Sequence, residues 1–380
     1  MSIYEKLGVQ TLINASETYT NLGGSLMDPR TLEAMREAGQ HFVSLTDLQS
    51  AVNARAAELT RNEAAFITTG ASGGVVLAAV SCMCGTDEAM QDRIPHTEAF
   101  PRSEVLVYDG PYLSLIPYWR LIGLTGAVIR RVPPTVEAMR QAVNGRTAAV
   151  FLFPGKLYEP GIPSCEETIP MLKRLGIPVV VDAAAQLPPV SNLWYYTREL
   201  GADLCVFSGG KHIRGPQSTG LVVGRRELIE GCRLSGCPNP RIGRAYKTGK
   251  EELCGFITAL EIFVTEGGEE LYRRQAERLK RLADRLKRQT PEVEITFLRQ
   301  GRLGTEQPLL HVLLPKGKTG AGCNRFTRSL PQPVDVGFYG DEFHQPPNLI
   351  FLNAYNLRED EVDAVADAVS AYAAQACPDA

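Results

Sequence analysis

Short apolar runs with no polar face constrain this chain more than any other feature. Val179-Val180-Val181 leads into Asp182, Leu204-Cys205-Val206-Phe207 leads into Ser208, and "TAAVFLFP" spans residues 147–154. A strand without a solvated face needs cover on both sides, which a mainly parallel sheet with helices above and below provides. The surrounding pattern agrees. "AAFITTGASGGVVLAAVSCM" reads as strand, glycine turn and helix, while "EVLVYDG", "GAVIRRV" and "TGLVVGR" read as strands and "VEAMRQAV" and "ETIPMLKRLG" as helices. The expected class is α/β with a mainly parallel, doubly wound sheet.

A length of 380 residues is long for one domain, and the pattern changes along it. "LINASETYTNLGGSLMDP" reads as part of an irregular N-terminal arm over 1–27. Asp28 as N-cap and Pro29 as first helical residue open a large domain over 28–250. From 251 to 380 two helices precede short strands near "VEITFLR", "PLLHVLL" and "NLIFLNAY" and a closing helix, a smaller C-terminal α+β lobe. The second of those helices, "EELYRRQAERLKRLADRLKRQ", carries a basic face that the pattern places in solvent.

Composition excludes some partners. With a net charge of -3 the chain has no overall field for a nucleic acid backbone, so no nucleic acid partner is expected. Nine cysteines without a Cys-x-x-Cys pair point to reduced thiols in a cytoplasmic protein and to no metal site. "MSIYEKLGVQ" lacks the form of a signal peptide, and no apolar stretch is long enough to span a membrane.

Chemistry concentrates at two strand ends and one turn. Lys211 lies in a glycine turn after an apolar strand, where desolvation can free its amine for condensation with a carbonyl (a Schiff base). Asp182 ends the other strand, and a buried carboxylate there suits the ring nitrogen of pyridoxal phosphate; taken alone it reads equally as a helix cap. The turn Gly70-Ala71-Ser72-Gly73, between strand and helix, offers backbone N–H groups to a phosphate, with Ser72 and Ser208 adding hydroxyls. Each element alone is weak. Together they specify pyridoxal 5'-phosphate. Gln186 reads either as a contact to the ring hydroxyl or as a turn cap. Tyr112 reads as a ring that stacks on the cofactor or as a core or surface tyrosine. His212 reads as a proton shuttle or as a ring turned away.

These motifs carry a resemblance. "FSGGKHIRGPQSTGLVVGR", "TNLGG" at 20–24 and "RAYKTGKEEL" at 244–253 resemble the segments of fold type I pyridoxal-phosphate enzymes (aspartate aminotransferase-like fold), in the group similar to selenocysteine synthase, L-seryl-tRNA(Sec) selenium transferase. The match runs from about Tyr4 to the C-terminal helix. Gly24 stands where the selenium transferases have arginine, and Lys247 where they have a second arginine, while Arg244 is retained. An arginine fork reduced to a point charge argues against selenium transfer, as does the expected absence of their N-terminal tRNA-gripping domain. The "VDAAA" strand end and the run from Arg244 to Glu251 are more similar to the branch of D-glucosaminate-6-phosphate ammonia-lyases.

The resemblance implies an enzyme, a lyase that dehydrates and deaminates a hydroxylated amino acid to a 2-keto acid. It implies Lys211 and Asp182 as catalytic residues and Arg244, Lys247 and Asn21 as substrate contacts, and Tyr19 in the arm reads as a further substrate contact. Asn14 and Thr18 are further candidates to line a site in their own or a partner subunit. It also implies a homodimer or an assembly of dimers. Other reactions at the substrate's Cα stay open: racemisation, aldol cleavage, transamination or oxidative decarboxylation. For transamination Arg358 is the small-lobe arginine that could hold a carboxylate. His41, His311 and His344 read as structural.

Overall fold

A computed structural model describes residues 2–110, 118–155 and 161–375. Its strands are β1 (Ile13–Ala15), β2 (Ala64–Thr69), β3 (Glu104–Tyr108), β4 (Val128–Val132), β5 (Thr147–Leu152) and β6 (Val179–Asp182), then β7 (Leu204–Ser208), β8 (Thr219–Gly224), β9 (Glu294–Leu298), β10 (Leu309–Leu313), β11 (Val334–Phe338) and β12 (Leu349–Leu352). They form two sheets, and the chain divides into two compact units. The larger unit holds 25–267 with 302–304; the smaller holds the residues up to Gly24, Gly268–Gly301 and those from Thr305 on.

The sheet of the larger unit has the order β2-β8-β7-β6-β5-β3-β4. β7, β6, β5, β3 and β4 are parallel neighbours, and β8 runs against both β2 and β7. The apolar runs behave as expected. Val179 and Val181 join the core on one face with Cys205 and Phe207, while Val180 joins the other with Leu204 and Val206. Helix Gly70–Cys84 lies on that second face, so close that a Cβ at Gly74 would stand 2.8 Å from Val206 Cγ1. At the open edge, β4 carries Arg130 and Arg131, charges that discourage pairing with another strand.

Helix Lys250–Glu266 belongs to the larger unit, although its sequence was expected to open the small lobe. Leu253, Phe256, Leu260 and Phe263 are buried in the first-face core, and Gly267 and Gly268 separate it from the next helix. Its apolar stripe finds cover on this sheet; periodicity gives the stripe but not the sheet it meets.

In the smaller unit the sheet order is β1-β11-β12-β10-β9. The expected irregular arm instead supplies an edge strand, β1, parallel to β11 with Ile13 opposite Val334 and Ala15 opposite Val336. Ile13 and Ala15 are buried with the leucines of helix Glu269–Gln289. That helix's basic face is partly partnered rather than simply solvated: Arg285 holds Asp367 at 2.7 and 2.8 Å, and Arg278 holds Glu359 at 2.5 Å. Among the described residues no helix is long and apolar enough to cross a membrane.

Candidate active site

The large sheet brings the two strand ends side by side. Asp182 stands in register with Val206, so the chain leaves β6 at Asp182 beside the point where β7 leads on to Ser208 and Lys211. Burial pushes the Asp182 carboxyl up to about 6; the Ala184 N–H, 3.1 Å from its Oδ1, and the charge of Lys211 pull the other way. A carboxylate held out of water near an amine is poised to hold a proton or an ion pair.

The Lys211 turn is closely packed, Gly209 against the side chains of Thr219 and Phe256 and Gly210 against the main chain of Gln217. A Cβ on Gly209 would lie 2.1 Å from Thr219 Oγ1, and one on Gly210 would lie 2.4 Å from Gln217 Cα. Both positions therefore exclude a side chain. Lys211 is half-buried, Ser208 is half-buried, and His212 is buried.

Helix Gly70–Cys84 begins beside this turn. Its N-cap, Thr69, makes no side-chain cap hydrogen bond, and Gly70 takes a left-handed φ of +62°. The Gly70 N–H donates to the Ser218 carbonyl at 2.7 Å, and a Cβ on Gly220 would stand 2.3 Å from the Gly70 carbonyl carbon. The close approach joins the first turn, with exposed Ser72, to the segment returning from Lys211. An uncapped N-terminus carries partial positive charge suited to a phosphate.

Two residues missed by the sequence reading sit over that turn. The Tyr246 side chain packs on Gly73, whose Cβ would lie 3.5 Å from Tyr246 Cβ, and Thr248 Oγ1 is 3.4 Å from Thr69 Oγ1. Burial raises the Tyr246 phenol pKa. Their loop is anchored by Arg241, its side chain only 11% exposed, which reaches Glu88 at 2.5 Å, Asp92 at 2.6 Å and the Leu234 carbonyl. No local spacing announces these contacts, because the partners lie far apart in the chain.

The other expected residues are more widely spread. Arg244 and Lys247 are exposed on the same loop, with Arg244 Nη1 4.0 Å from Cys237 Sγ. Gln186 is buried and its side-chain amide donates to the Pro154 carbonyl at 2.9 Å. Tyr112 lies outside the described residues. Tyr19 and Asn21 belong to the smaller unit, exposed around the turn Thr20–Leu22. Asn14 and Thr18 line a small recess there with Ser16, Glu17, Asn353 and Tyr355. Arg358 is exposed, and its N–H donates to Glu361 at 2.8 Å at the approach to the last helix. Among the described residues no group of His, Cys, Asp or Glu is arranged for a metal ion, and the described cysteines are free thiols.

The residues fit pyridoxal phosphate on their own chemistry. An amine can take the aldehyde, a desolvated carboxylate can face the ring nitrogen, and an uncapped helix start can receive the phosphate.

Comparison with known proteins agrees with this geometry. The family model Aminotransferase class-V matches residues 97–237. A 5'-C-glycyluridine monooxygenase-decarboxylase of a Streptomyces species is 32% identical over 294 residues, 74% of this chain and 70% of the relative. D-glucosaminate-6-phosphate ammonia lyase of Salmonella typhimurium is 29% identical over 68% of this chain and 69% of its own. A solved structure of D-glucosaminate-6-phosphate ammonia-lyase matches with a TM-score of 0.81 at 23% identity, covering 98% of each chain. L-seryl-tRNA(Sec) selenium transferase of Edwardsiella ictaluri is 28% identical over 64% of this chain, but only 54% of its own length is matched. The likeness extends well past the segment around the lysine and aspartate, and it places the protein: the chain belongs to the fold type I pyridoxal-phosphate enzymes, in the selenocysteine synthase-like group, with pyridoxal 5'-phosphate as its cofactor.

Proposed function

We propose that the chain is a lyase acting on a hydroxylated, D-glucosaminate-like amino acid, which it dehydrates and then deaminates to a 2-keto acid. The carrying observation is the pairing of Lys211 with the desolvated Asp182 at neighbouring strand ends. The ammonia lyase relative supports the reaction type. Bound pyridoxal phosphate supplies an electron sink for a carbanion at the substrate's Cα.

The chain's residues supply the rest. With the cofactor bound, the Lys211 amine would hold its aldehyde and, when free, would take the Cα proton. The same ammonium can then protonate the departing β-hydroxyl. Asp182 keeps a proton on the ring nitrogen. The N–H groups at Ala71, Ser72 and Gly73, with the Ser72 and Ser208 hydroxyls, would hold the phosphate; the Gly70 N–H, expected among them, is instead committed to the Ser218 carbonyl. Arg244 and Lys247, exposed and cationic, gather an anionic substrate. Gln186 and Tyr112 are assigned to the ring, and Tyr19 and Asn21 to the substrate, on their positions in the sequence alone.

A second reading has its own support. The Streptomyces relative is named a monooxygenase-decarboxylase, so an oxygen-dependent decarboxylation at the same Cα is the competing reaction. Incubating the enzyme with hydroxylated D- and L-amino acids under strict anaerobiosis separates the two. The lyase reading expects keto acid and ammonia at undiminished rate. Turnover that needs oxygen and releases carbon dioxide would replace it with the second.

The group's habit of completing active sites across subunits supports a homodimer or an assembly of dimers, and the free thiols among the described residues fit a cytoplasmic protein. Sedimentation should show cofactor affinity rising with association; a fully active monomer would remove this part of the proposal.

A further inference from the structure

We propose that Ser25 and Arg214 form a two-point latch on the main chain either side of Lys211, making Ser25 a positioning residue for that amine. The inference rests on the reading of Lys211 as the residue that holds the cofactor.

A glycine-flanked turn cannot be fixed by side chains of its own. Gly209 and Gly210 are too crowded to carry any, so the orientation of the peptide groups is set by this packing together with hydrogen bonds. Within the turn, the Arg214 N–H donates to the Lys211 carbonyl and the Gly215 N–H to the Gly209 carbonyl, both at 2.9 Å. Neither restrains the peptide that joins Gly210 to Lys211. A restraint on that peptide comes from outside, where the Ser25 hydroxyl donates to the Gly210 carbonyl at 3.0 Å. Turning that carbonyl turns the nitrogen of Lys211 and with it the direction of the Cα–Cβ bond.

The second point runs the opposite way. Arg214 Nε donates to the Leu26 carbonyl at 2.7 Å. Arg214 does this from a left-handed backbone, φ +60°, a conformation unfavourable for any residue but glycine. Segment 25–26 thus gives one hydrogen bond to the turn and receives one from it. The segment is itself held. Asp28 caps helix Pro29–Gly39 through the Arg30 N–H at 2.9 Å, and Arg30 Nη1 pairs with Glu266 at 2.6 Å. The latch therefore ties the lysine turn to two helices rather than to a loose loop.

The experiment compares wild type, Ser25→Ala, Ser25→Thr and Arg214→Gly as full-length chains. Each is stripped of cofactor, reloaded with pyridoxal phosphate, and reduced with borohydride to locate the attachment. The visible band of each reloaded protein is titrated with pH. Ser25→Ala should reload about fivefold more slowly, the scale of one lost hydrogen bond. The pH midpoint of its band should move, while thermal stability changes little. Ser25→Thr should restore both. Arg214→Gly, whose backbone suits the left-handed turn, should repeat the Ser25→Ala behaviour without loss of fold. Wild-type reloading rates and midpoints in both Ser25→Ala and Arg214→Gly overturn the latch, with the Lys211 reading left standing. Attachment to another lysine in the wild-type chain overturns both.

Discussion

Lys211→Ala protein should fold, bind pyridoxal phosphate only non-covalently, and lose turnover by about 10³-fold or more, the scale of a positioned proton-transfer group. Folding should survive because the turn is held by main-chain bonds and by packing at Gly209 and Gly210, none of which uses the lysine side chain. Wild-type protein should be yellow, and borohydride should fix the cofactor to the peptide containing Lys211. The variant should release all of its cofactor on denaturation. Lys250 is the natural control. Its ammonium donates to the Ala38 carbonyl and pairs with Glu251, so it is committed to joining two helices. Reduced cofactor found on Lys250, or a Lys211→Ala enzyme of near-normal rate, would show that the glycine turn has another purpose.

The parts of the site visible in the sequence share one property: their signals are local. Val179–Val181 and Leu204–Phe207 declare buried strands by composition alone, and the residue that follows each run must emerge at the carboxyl end of the sheet. The glycine-rich helix start at Gly70 is likewise announced within a few residues. What stayed hidden depends on partners distant in the chain. Tyr246 reaches Gly73, Arg241 reaches Glu88 and Asp92, and Ser25 reaches Gly210. The motif draws attention to Arg244, which is exposed, while the nearby Arg241 anchors the loop. Strand direction is hidden too, since β8 has the same apolar composition as its neighbours but runs against them. A three-residue strand such as β1 is too short to show an alternating pattern, so its place in the smaller sheet had no sequence signal.

Asp182→Asn should lower turnover by about 10³-fold while making the cofactor-free protein more stable at neutral pH. Both effects come from one cause. In the folded chain desolvation raises this carboxyl to about 6, against an ordinary value of 3.8. Well below pH 3.8 the group is protonated whether the chain is folded or not, and it contributes no difference. As pH rises from 4 to 6 the unfolded chain ionises first, so stability drains away, and above about 6 the loss is complete. Two pH units correspond to at most about 3 kcal/mol. Asparagine carries no charge at any of these pH values, and its carbonyl can still accept from the Ala184 N–H. The variant's advantage in urea unfolding should therefore be negligible near pH 2.5, grow through pH 5, and level off above pH 6.5. The price appears when the cofactor is bound, because an amide cannot hold the ring nitrogen protonated and the electron sink weakens. A stability gain that ignored pH, or a variant with near-normal turnover, would mean that Asp182 serves only as a cap at the end of β6.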